Sequence, residues 1–173
     1  MAAETGSTNV PATEASKDTD LVIVTIPVKA LPLLPGVILE GASAGAPIVD
    51  TGNYCPTRDG RIEAIEDGMT ESRWVSEQRG HSGRESLQQD PRPAPPRTGK
   101  TGRQARQDRP AGTGDDHETK RIVMELVDEL SFDPIDAGTI DESWRQTTVY
   151  GSDLDTEGAI QALAEATREQ PAR

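Results

Sequence analysis

Asp20-Leu-Val-Ile-Val-Thr-Ile-Pro27 and Pro47-Ile-Val-Asp-Thr-Gly-Asn53 are two short apolar runs that each stop abruptly at polar residues, glycine or proline. Continuously apolar runs of this length are typical of strands buried on both faces of a parallel sheet. Ligands of such sheets bind outside the carboxyl ends of the strands. The two runs therefore predict a binding edge formed by Thr25–Pro27 and Asp50–Asn53.

The composition sets limits on the core and on the partners. Of 173 residues, 33% are hydrophobic and 3% aromatic, and the net charge is -12. This content is low for a compact core and favours partial disorder. The acidic balance argues against binding of nucleic acid or of an anionic membrane across the whole surface.

Cellular location follows from two features of the chain. Cys55 is the single cysteine and cannot form an internal disulfide, which predicts a reducing cytoplasm. The most apolar window, 21–39, is interrupted by prolines and a lysine, so it is a poor candidate for a membrane span. The first residues resemble no secretory signal.

A basic, proline-rich segment divides the chain. Residues 84–109 hold seven basic side chains against three acidic ones, and Leu87 is the single large apolar residue from Ser82 to Gly114. The composition predicts disorder for 81–114. The expected organisation is therefore an N-terminal part of an α/β domain over 1–80, the disordered segment, and the remainder of the same domain over 115–173.

Periodicity and capping residues predict further elements in both ordered parts. In the first part, Thr70 is a candidate cap, and an ion pair is expected between Arg73 and Glu77. In the second part, apolar residues at every fourth position predict a strong amphipathic helix. The full set comprises strands at Leu21–Ile26, Ile48–Asp50 and Phe132–Ala137, and helical segments at Pro11–Lys17, Val28–Leu34, Thr70–Gln78, Glu118–Leu130 and Gly158–Arg168.

Most candidate sites fail a test of context. Gly99-Lys100-Thr101 lacks the preceding strand and the glycine that a phosphate loop requires. Cys55 with His81 or His117 would need a fixed geometry that the sequence does not provide. Two histidines and one cysteine form no zinc pattern, so no catalytic residue and no metal ligand is assigned.

Asp50-Thr-Gly-Asn53 remains the best candidate, because it ends a parallel strand and Gly52 allows close approach of a ligand. An ordinary turn from strand to loop is the open alternative.

Several longer stretches resemble a known family. The resemblance extends in order over about two thirds of the chain and is to the bacterial NADP oxidoreductases of the coenzyme F420-dependent type. It is carried by Asp20–Pro27, Asp50-Thr-Gly-Asn-Tyr54, Arg58-Asp-Gly-Arg61, Glu66-Asp-Gly68, Thr70-Glu-Ser-Arg-Trp-Val75, Asp141-Glu-Ser-Trp-Arg-Gln146, Val149-Tyr-Gly151 and Asp153-Leu-Asp-Thr-Glu-Gly158.

The resemblance implies an α/β fold with a Rossmann-like parallel sheet, NADP as cofactor, and coenzyme F420 or a similar deazaflavin as hydride partner. It places six residues along the nicotinamide end of the cleft: Thr25, Ile26, Pro27, Thr51, Gly52 and Asn53. Hydride transfer needs no acid or base from the protein, so none is assigned.

The chain also departs from the family. Family members begin with a strand and a G-x-G-x-x-G turn that holds the pyrophosphate. Here Met1-Ala-Ala-Glu-Thr-Gly6 resembles the residues that follow the second βα unit, and Cys55 stands where the family usually has an aromatic residue. We therefore expect a partial sheet that lacks its first βαβ unit, marginal folding, and weak or no binding of NADPH.

The basic segment has a genetic explanation. Codons for Arg84-Glu-Ser-Leu-Gln-Gln-Asp90, read one base later, allow Val-Lys-Ala-Phe-Asn-Lys-Ile, which is close to the Lys-Ala-Phe-Asn strand of the family at this place. We hypothesise that residues from about Ser82 to Gly114 are an out-of-frame readout. Sequencing of the coding DNA tests this, since a shifted frame that cannot spell the strand would exclude it.

Two alternatives to an oxidoreductase whose reading frame is damaged remain open. One is a non-catalytic interaction protein whose arginine-rich segment contacts acidic partners. The other is a separate upstream frame that supplies the pyrophosphate-binding turn. The identity of the hydride acceptor and the formation of a homo-oligomer are also open.

Overall fold

A five-stranded mixed sheet forms the centre of the protein. A computed structural model describes residues 6–78, 86–89, 110–130, 132–149 and 154–167. The strands, in sheet order, are β1 (Val22–Val24), β2 (Ile48–Asp50), β3 (Ser86–Gln89), β4 (Ala111–Thr113) and β5 (Ile135–Asp136).

The first two predicted strands lie side by side and run parallel, with Val22 opposite Ile48 and Val24 opposite Asp50. β3 continues the parallel arrangement next to β2, whereas β4 runs antiparallel to β3, and β5 is parallel to β4. The prediction of an α/β fold with a parallel β1–β2 pair is confirmed. The sheet as a whole is mixed, because the chain reverses direction between β3 and β4.

The helices cover both faces of the sheet. Alternate residues of a strand point to opposite faces, and Ile48 and Val49 accordingly belong to different apolar clusters. The helices are α1 (Val37–Glu40), α2 (Pro56–Asp59), α3 (Glu63–Glu66), α4 (Glu71–Gln78), α5 (His117–Glu129), α6 (Gln146–Val149) and α7 (Thr156–Glu165), with 3₁₀ helices at Val28–Leu33 and Ile140–Arg145.

The two longest predicted helices form close to their expected positions, because each begins at an acidic cap. The Asp116 side chain accepts a hydrogen bond from Thr119 N at the start of α5, and Asp155 accepts one from Gly158 N at the start of α7. The helix predicted at Pro11–Lys17 does not form, and residues 12–18 instead form a series of turns. Among the described helices, none combines the length and apolar content needed to cross a bilayer.

One apolar cluster packs β1 and β2 against the segments that follow them. Val24 and Ile48 meet Val28, Leu31 and Val75, all of them buried. On the other face, Val49 packs against Val123 and Val127 of α5. The predicted stripe was Ile122, Leu126 and Leu130, with the two valines beside it; the valines are buried, whereas Leu130 is 60% exposed.

The prediction of disorder over 81–114 is wrong for residues 86–89 and 110–114. β3 pairs with β2 on one side and with β4 on the other, and Ala111–Gly114 are buried. Strand pairing uses backbone N–H and C=O groups, which every residue but proline supplies, so composition alone did not exclude it. Residues 79–85 and 90–109 lie outside the described part of the chain.

The ion pair predicted between Arg73 and Glu77 does not form. Arg73 donates instead to Asp141, at 2.7 Å, and to Asp115, at 3.2 Å. The two carboxylates, Asp141 first, raise the pKa of the guanidinium. The bridge ties α4 to the start of α5 and to the 3₁₀ helix Ile140–Arg145, contacts that an isolated helix cannot offer.

Candidate functional site

The carboxyl ends of β1 and β2 meet at one edge of the sheet, as the sequence predicts. Thr25 and Thr51 follow these strands directly, and their Oγ1 atoms lie 2.9 Å apart. The backbone N–H of Thr51 donates to the carbonyl of Val24 at 3.1 Å, which extends the parallel pairing by one residue. The edge therefore presents two adjacent hydroxyl groups, each of which can donate or accept a hydrogen bond.

Gly52 occupies a tight, buried turn. Its N–H donates to Asp50 Oδ1 at 2.8 Å, so that the carboxylate closes the turn. A Cβ atom at position 52 would lie 3.1 Å from Asp50 Oδ1 and 3.3 Å from Val28 Cγ2. A side chain at this position would therefore crowd buried neighbours, which is compatible with the open alternative of an ordinary turn from strand to loop.

The other predicted residues of this edge divide between the core and the surface. Ile26 is half-buried and packs against the apolar cluster around Val24. Pro27 and Asn53 are exposed, and Pro27 precedes the 3₁₀ helix Val28–Leu33. Of the six predicted residues, Thr25, Pro27, Thr51 and Asn53 are therefore accessible, whereas Ile26 and Gly52 shape the edge from beneath.

A buried carboxylate that sequence reasoning missed organises the loop after β2. The Asp59 side chain is fully buried and accepts a hydrogen bond from Cys55 N at 2.9 Å. It also accepts two from Arg58, at 3.1 and 2.8 Å. Arg58, and then the Cys55 N–H, lower the pKa of this carboxyl group. The burial of Asp59 depends on the groups that surround it in the fold, so no sequence pattern signals it.

Tyr54 fixes the next part of the loop. Its hydroxyl donates to Glu66 Oε1 at 2.8 Å and accepts from the N–H of Ile62 at 3.1 Å. Burial, and hydrogen bonding to Glu66, raise the pKa of Tyr54, although the Ile62 N–H acts in the opposite sense. Residues 54–66 are therefore held as a unit behind the exposed edge.

Two cations that the sequence analysis did not single out as site residues lie at the same edge. Lys29 Nζ donates to the carbonyl of Arg58 at 2.5 Å, and the Arg58 guanidinium donates to the carbonyl of Asn53. The loops after β1 and β2 are consequently joined twice, once by the threonine hydroxyls and once by Lys29. The sequence signal was the placement of both residues shortly after predicted strand ends.

Cys55 is half-buried at the start of this loop. Its Sγ lies 3.1 Å from the Thr57 hydroxyl, and this hydrogen bond lowers the pKa of the thiol. His117 begins α5, and His81 lies outside the described residues. The same holds for Gly99-Lys100-Thr101 and for every arginine of the segment 84–109, so the predictions made for them remain predictions.

Comparisons with known proteins bear on the fold alone. No family model matches the sequence, and no curated protein matches it. A crystal structure of a hypothetical protein from Sinorhizobium meliloti is similar, with a TM-score of 0.54 and 21% sequence identity. The match covers 72% of this chain and 58% of that chain, so this protein spans less than two thirds of its structural neighbour. The α/β arrangement described above therefore also occurs in a solved structure.

Proposed function

We propose that this protein is an NADP-dependent oxidoreductase of the coenzyme F420-dependent type, with a Rossmann-like sheet, and that the chain by itself is impaired in cofactor binding. The reaction would be hydride transfer between NADP(H) and a deazaflavin or similar acceptor. The stretches that resemble the family support this proposal. The observation that carries it is the parallel β1–β2 pair, whose strand ends meet at Thr25 and Thr51.

The residues at this edge fit the nicotinamide end of a dinucleotide by their donor and acceptor groups. The hydroxyls of Thr25 and Thr51 and the side-chain amide of Asn53 can hydrogen-bond to ribose hydroxyls or to a carboxamide. When bound, the nicotinamide supplies the hydride chemistry, and the protein orients it and excludes water. The buried turn at Gly52 would keep the two threonine-bearing strand ends in fixed register.

Impairment is expected from the content of the chain. Its 173 residues include no G-x-G-x-x-G turn, the element that holds the pyrophosphate of a dinucleotide on a helix N-terminus. We therefore expect binding of NADPH to be much weaker than micromolar. Calorimetry that shows micromolar NADPH binding would contradict this part of the proposal.

Nicotinamide mononucleotide provides a direct test of the edge, because it carries the nicotinamide and its ribose without the second nucleotide. We expect the backbone amide signals of Thr25, Thr51, Gly52 and Asn53 to shift in NMR titrations. The expected dissociation constant is about 1 mM, which corresponds to a binding free energy of about 4 kcal/mol. Thr51→Val should weaken binding several-fold, whereas Thr148→Val, at an exposed position of α6, should leave it unchanged. Absence of these shifts at about 10 mM ligand, a binding free energy below about 3 kcal/mol, would refute the proposed site.

A further inference from the structure

Lys29 and Arg58 bring two positive charges to the edge where β1 and β2 end. Lys29 follows β1 in the 3₁₀ helix Val28–Leu33, and Arg58 follows β2 in α2. Both side chains are exposed, and the ammonium group of Lys29 lies 2.5 Å from the Arg58 carbonyl oxygen. The ammonium group of Lys29 therefore lies against the backbone of the residue that carries the second cation.

Both side chains keep hydrogen-bond donors for a ligand. An ammonium group has three N–H donors and a guanidinium has five. Within the described residues, Lys29 uses one of its donors, on the Arg58 carbonyl, and Arg58 uses three, on Asp59 and on the carbonyl of Asn53. Four N–H donors on two cations thus remain for other partners.

The two cations differ in their charge partners. Glu71 contributes a negative charge near Arg58. The Asp59 carboxylate neutralises Arg58, while in the described part of the chain Lys29 contacts a carbonyl and no carboxylate. The edge therefore carries an uncompensated ammonium group beside a half-exposed guanidinium, an arrangement suited to a charge-assisted contact with an oxyanion.

We infer that Lys29 and Arg58 form a subsite for the phosphate group of a ligand bound across the carboxyl ends of β1 and β2. The neighbouring hydroxyls of Thr25 and Thr51 suit the sugar or polyol chain to which such a phosphate is attached. The subsite itself depends on the two cations alone. It rests on the proposed function only for the identity of the molecule that carries the phosphate.

Inorganic pyrophosphate is the primary probe, because it tests the subsite without any nicotinamide. We expect NMR titrations to shift the amide signals of Lys29, Asn53 and Arg58, and binding to weaken as salt screens the charges over about 10 Å at 0.1 M ionic strength. Lys29→Gln should raise the dissociation constant at least about fivefold, since it removes a charge-assisted contact.

Lys17→Gln is the matched control, because Lys17 is also exposed and the substitution changes the net charge equally. It should alter the dissociation constant by less than about twofold, as expected of a distant, solvent-screened charge. Equal weakening by both variants, or signal shifts elsewhere on the protein, would overturn the inference and indicate general electrostatic attraction. Lys29→Arg keeps the charge and should retain binding, which preserves the test if Lys29→Gln unfolds.

Two phosphorylated probes then distinguish the source of the phosphate. Nicotinamide mononucleotide represents the cofactor, and flavin mononucleotide represents a phosphorylated tricyclic acceptor. Whichever probe loses affinity in Lys29→Gln carries the phosphate that the subsite recognises. If pyrophosphate binding depends on Lys29 while neither probe binds, the subsite stands and the proposed oxidoreductase function falls. If nicotinamide mononucleotide shifts the amide signal of Thr51 while Lys29→Gln leaves pyrophosphate binding unchanged, the proposed function stands and the phosphate subsite falls.

Discussion

Replacement of Gly52 by alanine tests whether the turn after β2 is set by packing. A Cβ at this position would lie 3.1 Å from Asp50 Oδ1 and 3.3 Å from Val28 Cγ2. Asp50 is 1% exposed and Val28 is 0% exposed, so neither neighbour can move into solvent. Overpacking of a rigid site typically costs about 1–3 kcal/mol.

An opposing effect must be subtracted from this cost. Alanine restricts the unfolded chain more than glycine and thereby stabilises a compatible site by about 0.4–1 kcal/mol. We therefore expect Gly52→Ala to reduce the free energy of unfolding by up to about 2.5 kcal/mol, a large fraction of the margin of a small domain. Urea unfolding, followed by tryptophan fluorescence, measures this change.

Gly36→Ala is the matched control. A Cβ there would lie 3.3 Å from Glu40 Oε1, the far end of an exposed and flexible side chain. The added methyl group can push this atom aside, so the entropic effect should dominate and the substitution should be neutral or stabilising by up to about 1 kcal/mol. A Gly52→Ala protein as stable as Gly36→Ala would show that the turn is loose and would refute the packing argument.

Two further substitutions test the elements beneath the site. Asp59→Asn should lower Tm at pH 7, and because the folded-state pKa of Asp59 is depressed, the difference from the native protein should disappear as pH falls through about 4 and below. Asp67→Asn removes an exposed carboxylate and should leave Tm at pH 7 nearly unchanged. Ile48→Ala should cost about 2–5 kcal/mol in urea unfolding, because Ile48 is 1% exposed in the core. Ile23→Ala on the neighbouring strand should cost much less, since Ile23 is 56% exposed, and equal losses would contradict the assigned faces of the sheet.

The elements with strong local signals could be predicted from the sequence. The two apolar runs form β1 and β2 and pair in parallel, as predicted. Burial on both faces is confirmed for β2, whereas Ile23 of β1 is 56% exposed. The fourfold periodicity of Ile122, Leu126 and Leu130 predicts α5 within one residue at each end. These features depend on the side-chain pattern along one segment, which is visible without knowledge of neighbouring segments.

The ion pairs of Arg73 and the formation of β3 depend on segments that are distant in sequence. Arg73 has Glu77 within reach along its own helix, but the fold brings Asp115 and Asp141 to it from the second half of the chain. β3 lies in a segment whose composition predicts disorder, and its pairing uses backbone groups offered by β2 and β4. In both cases, the deciding partner is distant in sequence.

At the candidate site, the order of residues placed Thr25 and Thr51 at strand ends, and parallel pairing was enough to bring them together. Only the tertiary structure shows that Ile26 packs against the core and that the Asp59 side chain is buried beside Arg58. The same holds for the hydrogen bond from Lys29 to the Arg58 carbonyl. The physical reason is that hydrophobic patterning acts locally along a strand or helix, whereas burial of a polar group depends on which partners the completed fold supplies.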